Sequence, residues 1–419
     1  MRVAGPRIAQ LTCFSSERIF MNDRILMTRL TTHRYANALW RLSLGCVLGW
    51  LTTCGTWAQT PPAENEPPPE RVRPETPELK AATDDLREHL KKMREVWARY
   101  NTNIDSQKDR ELREQWFELE RSGAPLHARL VETALTEYQT DPANKTAIAD
   151  MLWRILERNA KDDRYEGMLP VAQALLANDY PREELHQTAT MVAFALGEFD
   201  ALKPLLNKLV IEGQANPQLQ SLQQDLARVE KLWQEEQAAQ AADDRGEPLP
   251  RVLMHTTKGD IEMELFENQA PETVGNFISL VESGFYDGLT FHRVLEHFMA
   301  QTGCPIGDGS GGPGYTIYSE AEKPGARKFF RGTLGLALAQ APNTGGSQFF
   351  ITYVPTYQLN DGFTAFGRVI SGMDVLSNLV RVDPDKKKEE GEPVEIPDEI
   401  ISIEVLSKRD HEYKPNKVK

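Results

Sequence analysis

Cysteine is scarce: four residues in 419. Cys13, Cys46 and Cys54 fall in the first 58 residues, and Cys304 alone lies beyond them. A chain beginning after Ala58 therefore holds one thiol and no internal disulfide, so its fold must rest on apolar cores. Basic excess is missing too. Lys plus Arg total 48 against 62 Asp plus Glu, a net charge of −14. That balance argues against a nucleic-acid partner, which would want a basic stripe to displace phosphate counterions. The usual catalytic signatures are also absent. His292, Glu296 and His297 are not spaced as a zinc motif in either orientation. GDGSGGPG (residues 307–314) lacks the Gly-Lys-Ser/Thr and helix of a phosphate loop. GGSQF (residues 345–349) lacks the second glycine of a nucleophile elbow.

What the chain does have begins with an export pattern. A basic stretch, MTRLTTHRYANALWR from Met27, leads into the apolar LSLGCVLGWL and then TTCGTWAQT. This reads as a leader over residues 1–58, with cleavage predicted after Ala58. The apolar run is too short to span a bilayer unaided. Met27 gives a more usual leader length than Met1. The expected location is therefore periplasmic or secreted. The alternative is membrane attachment through an uncleaved leader or a lipid on Cys54, which Thr53 at the preceding position disfavours. Residues 59–78, rich in proline and glutamate, predict an extended linker.

From Leu79 the pattern becomes helical. Leu86, Leu90, Met93, Trp97, Tyr100 and Ile104 form a heptad seam. Ile148, Leu152, Ile155 and Leu156 continue the helical periodicity, as do Leu185, Ala189, Val192, Ala193 and Leu196. The break GEFD separates these from Leu202, Leu205, Leu206 and Leu209. A last helix carries Leu219, Leu222, Leu226, Val229 and Trp233 and is expected to fray into QEEQAAQAADDRGEPLP. Residues 79–245 thus predict an all-α accessory domain of five to eight antiparallel helices. Its ALGEFDAL turn is similar to tetratricopeptide-type hairpins, without a clean 34-residue period. A plain helical bundle fits equally well. This region shows no catalytic constellation, and a protein partner on it is the expectation it leaves open.

After Pro250 the period changes to two. VLMHTTKGDIEMELF reads as two strands joined at TKGD. APETVGNFISLVESG reads as a helix opened by Pro271 and Glu272 and stopped by Gly284. Short strands follow in LTFHRV, FMAQTG, GTLGLAL, QFFITY and TAFGRVI. GMDVLSNLV reads as a second short helix and DEIISIEVLS as a final strand. Eight short strands, Gly-rich turns and two capping helices predict a closed antiparallel barrel over residues 250–408, followed by a charged tail at 409–419. The lysine run in DPDKKKEEGE reads as a solvated loop.

Five collinear blocks then carry a resemblance: GDIEMELFENQAPETVGNFISL, FHRVLEHFMAQTG, GDGSGGPGYTIYSE, APNTGGSQFFIT and LNDGFTAFGRVISGMDVL. Together they resemble the cyclophilin family of peptidyl-prolyl cis–trans isomerases over roughly residues 253–408, and nothing before Pro250 takes part. The resemblance implies an isomerase acting on proline-containing segments of unfolded or folding polypeptides, with no cofactor and no metal. Arg293 and Gln301 match the catalytic pair. Phe298, Met299, Phe350, Leu359 and Phe363 match the proline pocket. Ala337, Leu338 and Ala339 match the strand that offers main-chain bonds to substrate, and Gln348 lies beside the pocket.

Three positions depart from the family pattern. Leu338 stands where asparagine is usual, Gln358 where the best-known eukaryotic members have tryptophan, and Phe363 where a histidine or tyrosine lines the rim. These departures keep a second reading open: a weakly active peptide-binding or chaperone module on a helical scaffold.

Overall fold

The computed structural model describes residues 76–102, 106–339, 341–386 and 396–418. The expected leader and nearly all of the expected linker lie outside them, as do Ile104 and most of the lysine-run loop.

The first helix, α1 (Pro77–Thr102), starts two residues earlier than expected. Thr76 caps it, its Oγ1 accepting the Leu79 N–H at 3.3 Å, with Pro77 and Glu78 suiting the first turn. It pairs with α2 (Ser106–Thr140). Five more helices follow among the described residues: α3 (Thr146–Lys161), α4 (Met168–Ala177), α5 (Leu185–Ala195), α6 (Phe199–Ile211) and α7 (Pro217–Asp243). The break between α5 and α6 is made at Gly197, whose φ is +70°. A β-carbon there would come within 2.8 Å of the Trp233 ring, so glycine serves both turn and packing. The expected fraying after Trp233 does not occur: α7 runs on to Asp243, because Glu236 and Asp243 are buried against Arg327.

Eight antiparallel strands succeed the helices. They are β1 (Arg251–Thr256), β2 (Gly259–Leu265), β3 (Arg293–Leu295), β4 (Met299–Thr302), β5 (Thr333–Leu336), β6 (Phe349–Thr352), β7 (Ala365–Ser371) and β8 (Ile400–Ser407). Helices α8 (Pro271–Glu282) and α9 (Met373–Ser377) lie between them in sequence. The spatial order is β3-β4-β6-β5-β7-β2-β1-β8.

The sheet is therefore an open half-barrel, not the closed barrel expected, because β3 and β8 do not pair. β3 is only three residues long, and its Val294 exchanges main-chain bonds with Val382 instead. Loop bonds span the gap, among them Phe291 N–H to the Asp398 carbonyl at 2.8 Å.

Alternation along the strands gives the sheet two different faces. Val294, Ala300, Leu334, Phe349 and Ile351 turn inward to the main core. There Phe277 of α8 meets the rings of Tyr286, Phe349 and Phe366 at 5.3 Å between centroids. The described residues of both halves, Ile396 apart, belong to one compact unit. Phe330, just before β5, enters a separate apolar cluster with Phe199, Leu202, Leu206, Leu222 and Val229. The tail expected to be merely charged packs down: Tyr413 is buried and its hydroxyl donates to Glu267 Oε2 at 2.8 Å.

Candidate active site

The outward face of the sheet brings the expected residues together. Arg293 of β3 sits opposite Gln301 of β4, Gln301 opposite Phe350 of β6, and Phe350 opposite Gly335 of β5. Gly335 in turn pairs with Ala365 of β7. One row thus crosses five strands, with a cation at one end and an aromatic floor at its centre.

Gly335 makes the row possible. A β-carbon at that position would lie 2.2 Å from Phe350 Cζ, so the ring can lie across the sheet only over glycine.

Around this floor Met299, Phe329, Phe350 and Ala365 are buried as one cluster. Leu295, Phe298, Ala337, Leu359 and Phe363 pack against it, half-buried, and form the open side. Phe363 stands edge-on to Phe350 with ring centroids 5.7 Å apart, a favourable aromatic geometry. All five residues expected to line a proline pocket belong to this single wall.

Leu295, Phe329 and Ala365 complete the cluster and were not among the expected residues. Leu295 had a legible signal, being two positions from Arg293 on a period-two strand. Phe329 had none, since Phe329 and Phe330 are adjacent and their faces cannot be told apart from sequence. Phe329 stacks on Phe350 at 5.6 Å, held by its N–H donating to Asn360 Oδ1 at 3.0 Å.

The polar edge is ordered by amides. Gln301 Nε2 donates to Gln348 Oε1 at 2.9 Å, and Gln348 Nε2 donates to the carbonyls of Gly309 and Gly311 at 2.7 and 2.8 Å. Gln348 thereby ties the glycine-rich loop to the site. Arg293 is half-buried, and among the described residues no carboxylate forms an ion pair with it. Burial pushes the pKa of His292, its neighbour, below the usual value, so the ring stays neutral at pH 7.

Of the other expected residues only Ala337 touches the wall. β5 ends at Leu336, short of Ala337–Ala339. The N–H groups of Ala337 and Ala339 donate to Gln348 O and Thr344 Oγ1, each at 2.9 Å. The Leu338 side chain packs against the main core, and Ala339 is exposed. Gln358 is exposed on the short turn Tyr357–Leu359.

Among the described residues no group of His, Cys, Asp or Glu is arranged to hold a metal ion. Nor is any helix among them long and apolar enough to cross a membrane. The arrangement is an apolar cluster with one half-buried side, flanked by one permanent cation and ordered amides.

Comparison with known proteins says which family this half-barrel resembles. Residues 251–405 match the family model described as cyclophilin type peptidyl-prolyl cis-trans isomerase/CLD. Peptidyl-prolyl cis-trans isomerase B of Bacillus subtilis is 50% identical over 124 residues, 29% of this chain and 85% of that protein. Peptidyl-prolyl cis-trans isomerase cyp15 of Rhizopus delemar is 42% identical over 161 residues, 38% of this chain but only 25% of that protein, so the chain spans about a quarter of that relative's length. A crystal structure of a Cryptosporidium parvum cyclophilin type isomerase has 34% identity and a TM-score of 0.33, covering 38% of this chain and 99% of that one. The chain belongs to the cyclophilin-type peptidyl-prolyl cis–trans isomerase family. The match begins at residue 251, so helices α1 to α7 stand outside it.

Proposed function

We propose that the chain is a peptidyl-prolyl cis–trans isomerase acting on X–Pro bonds of exported, folding polypeptides. The observation that carries the reading is the row Arg293–Gln301–Phe350 laid against a single apolar wall.

The reaction needs little else. Rotating a peptide bond removes amide resonance, with a barrier of about 18–20 kcal/mol, and no covalent bond is made or broken. Uncatalysed, an X–Pro bond takes tens to hundreds of seconds to turn. At the perpendicular geometry the proline nitrogen pyramidalises and regains a lone pair. A guanidinium N–H aimed at that nitrogen is therefore rewarded in the transition state and not in the planar ground state. Arg293 suits this role because its charge is permanent and its donors sit in a rigid fork. Phe298, Met299, Phe350, Leu359 and Phe363 bury the pyrrolidine ring and exclude water. Gln301, held by Gln348, donates to or accepts from the substrate backbone.

One donor of this kind contributes about 2.7–4 kcal/mol. Arg293→Ala is therefore expected to lower kcat/KM on an X–Pro peptide by about 100- to 1000-fold while leaving the unfolding midpoint in place. Full activity in that variant would defeat the assignment.

The finer reading adds an exported, periplasmic or secreted location and a helical accessory region built of tetratricopeptide-like hairpins that meets a protein partner. The leader pattern supports the first part, and determining the amino terminus of the secreted protein tests it. An intact leader on protein that stays in the cytoplasm would overturn it.

A further inference from the structure

Two carboxylates of the helical region reach the segments that carry the groove's aromatic walls. The first is Asp163, in the turn between α3 and α4. It is fully buried and sits at φ +61°, a conformation aspartate tolerates better than most residues. Its Oδ1 and Oδ2 accept the His297 main-chain N–H at 3.1 and 3.2 Å, and Oδ1 lies 2.8 Å from His297 Nδ1. Tyr165 OH donates to Oδ1 and Arg381 Nη2 to Oδ2, each at 2.8 Å.

His297 is in the turn that joins β3 to β4, immediately before Phe298. Its φ of +57° is a strained conformation for histidine, which needs such outside bonds to persist. The direction of Phe298 thus depends on a residue 134 positions upstream.

The second carboxylate is Glu236 of α7. Its Oε2 accepts Arg327 Nε at 3.0 Å and the Lys328 N–H at 3.2 Å. Arg327 also bonds Asp243 and lies over the Phe266 ring, 3.7 Å from its centroid. Both Arg327 and Glu236 are almost wholly buried. The next residue is Phe329, the ring stacked on Phe350.

We propose that Asp163 and Glu236 are positioning residues for the isomerase site, Asp163 fixing Phe298 through His297 and Glu236 fixing Phe329 through Arg327 and Lys328. The inference rests on the isomerase reading above. It makes the helical region part of the site's scaffold, although the family match does not include it. Neither carboxylate touches substrate. Each holds a wall that grips the proline ring in the ground state and the transition state alike, so its loss is expected in KM rather than kcat.

The test uses the full chain and an X–Pro peptide, with kcat and KM resolved separately for wild type, Asp163→Asn, His297→Gly, their double variant and Glu236→Gln. His297→Gly is the second arm because glycine accepts the positive φ and deletes only the ring contacts, while Asp163 keeps the main-chain N–H at 297 and its bonds to Tyr165 and Arg381. His297→Gly and Asp163→Asn are each expected to lower kcat/KM by about 5- to 20-fold, chiefly through KM, by the misplacement argument. The double variant is expected to match Asp163→Asn, because the ring contacts that His297→Gly removes, Nδ1 to Asp163 Oδ1 and to Tyr165 OH, belong to the cluster that Asp163→Asn already disrupts. Activities of His297→Gly and Glu236→Gln within twofold of wild type, a loss carried by kcat alone, or multiplying effects in the double variant would overturn the proposal. An inactive wild type, or an Arg293→Ala variant as active as wild type, would instead sink the isomerase reading itself.

Discussion

Replacing Gly335 with alanine should close the groove while leaving its cation in place. The added β-carbon would lie 2.2 and 2.6 Å from Phe350 Cζ and Cε2, and 2.7 Å from Phe329 Cε1. Carbon atoms rest at about 3.5–4.0 Å, so both rings must retreat by roughly 1 Å or more. The strand cannot yield instead, because Gly335 is paired to β6 on one side and β7 on the other. The rings are stacked on each other at 5.6 Å and move together. Their remaining free direction is outward, into the space assigned to the pyrrolidine ring.

Its magnitude follows from what the pocket would stop burying. A pyrrolidine ring contributes three methylenes at about 0.8 kcal/mol each, near 2.4 kcal/mol in all. At 1.36 kcal/mol per factor of ten, kcat/KM should fall about 60-fold. Overpacking of this kind costs roughly 1–3 kcal/mol of stability. The unfolding midpoint should therefore drop by several degrees but stay well above assay temperature. The assay is isomerisation of an X–Pro peptide beside calorimetric unfolding of the same preparation. A folded Gly335→Ala protein with kcat/KM within threefold of wild type would show that these rings do not bound the proline site, and the wall assigned to Phe350 would have to be abandoned.

Much of the half-barrel was legible because its signals are local. TKGD turns β1 into β2, Pro271 opens α8, and period-two alternation separates Val294 and Ala300 from Arg293 and Gln301. Barrel closure was not legible. It depends on which partner the three-residue β3 finds, and Val382 lies 88 positions downstream of Val294. The end of α7 failed for a related reason. QEEQAAQAAD has no apolar seam, so its helicity after Trp233 comes from Glu236 and Asp243 pairing with an arginine over 80 positions away.

The site divides in the same manner. Arg293, Gln301 and the five apolar wall residues were reachable because the motif blocks carry them. Phe329 was not, because adjacent phenylalanines point to opposite faces and only the fold decides which one meets Phe350 and which meets Trp233. Asp163 was invisible for a deeper reason. In NAKDDRYEG it reads as an ordinary loop acid, and nothing within ten residues hints at His297.

Two further expectations concern the joint between the halves. Arg327→Ala strips the cation from Glu236 and Asp243 and leaves two buried carboxylates unpaired. The expected loss is about 3–5 kcal/mol of stability, read by denaturant unfolding, and a loss under 1 kcal/mol would mean the pair is solvated. Glu120 of α2, half-buried, has its carboxyl raised to about 7 by burial, with Lys258, a bond from Trp116 and Arg164 opposing the rise and Asp374 adding to it. The unfolded carboxyl titrates near 4.5. The folded chain thus holds this proton more tightly, so the contribution of Glu120 to stability is most favourable below pH 4.5 and falls as the pH rises from there to 7. The cost above pH 7 is at most about 3 kcal/mol and less after solvent screening. Glu120→Gln removes it. Its unfolding midpoint should exceed the wild-type value at pH 8 by clearly more than at pH 5, and equal shifts at the two pH values would show that the Glu120 carboxylate ionises in the folded chain at no cost.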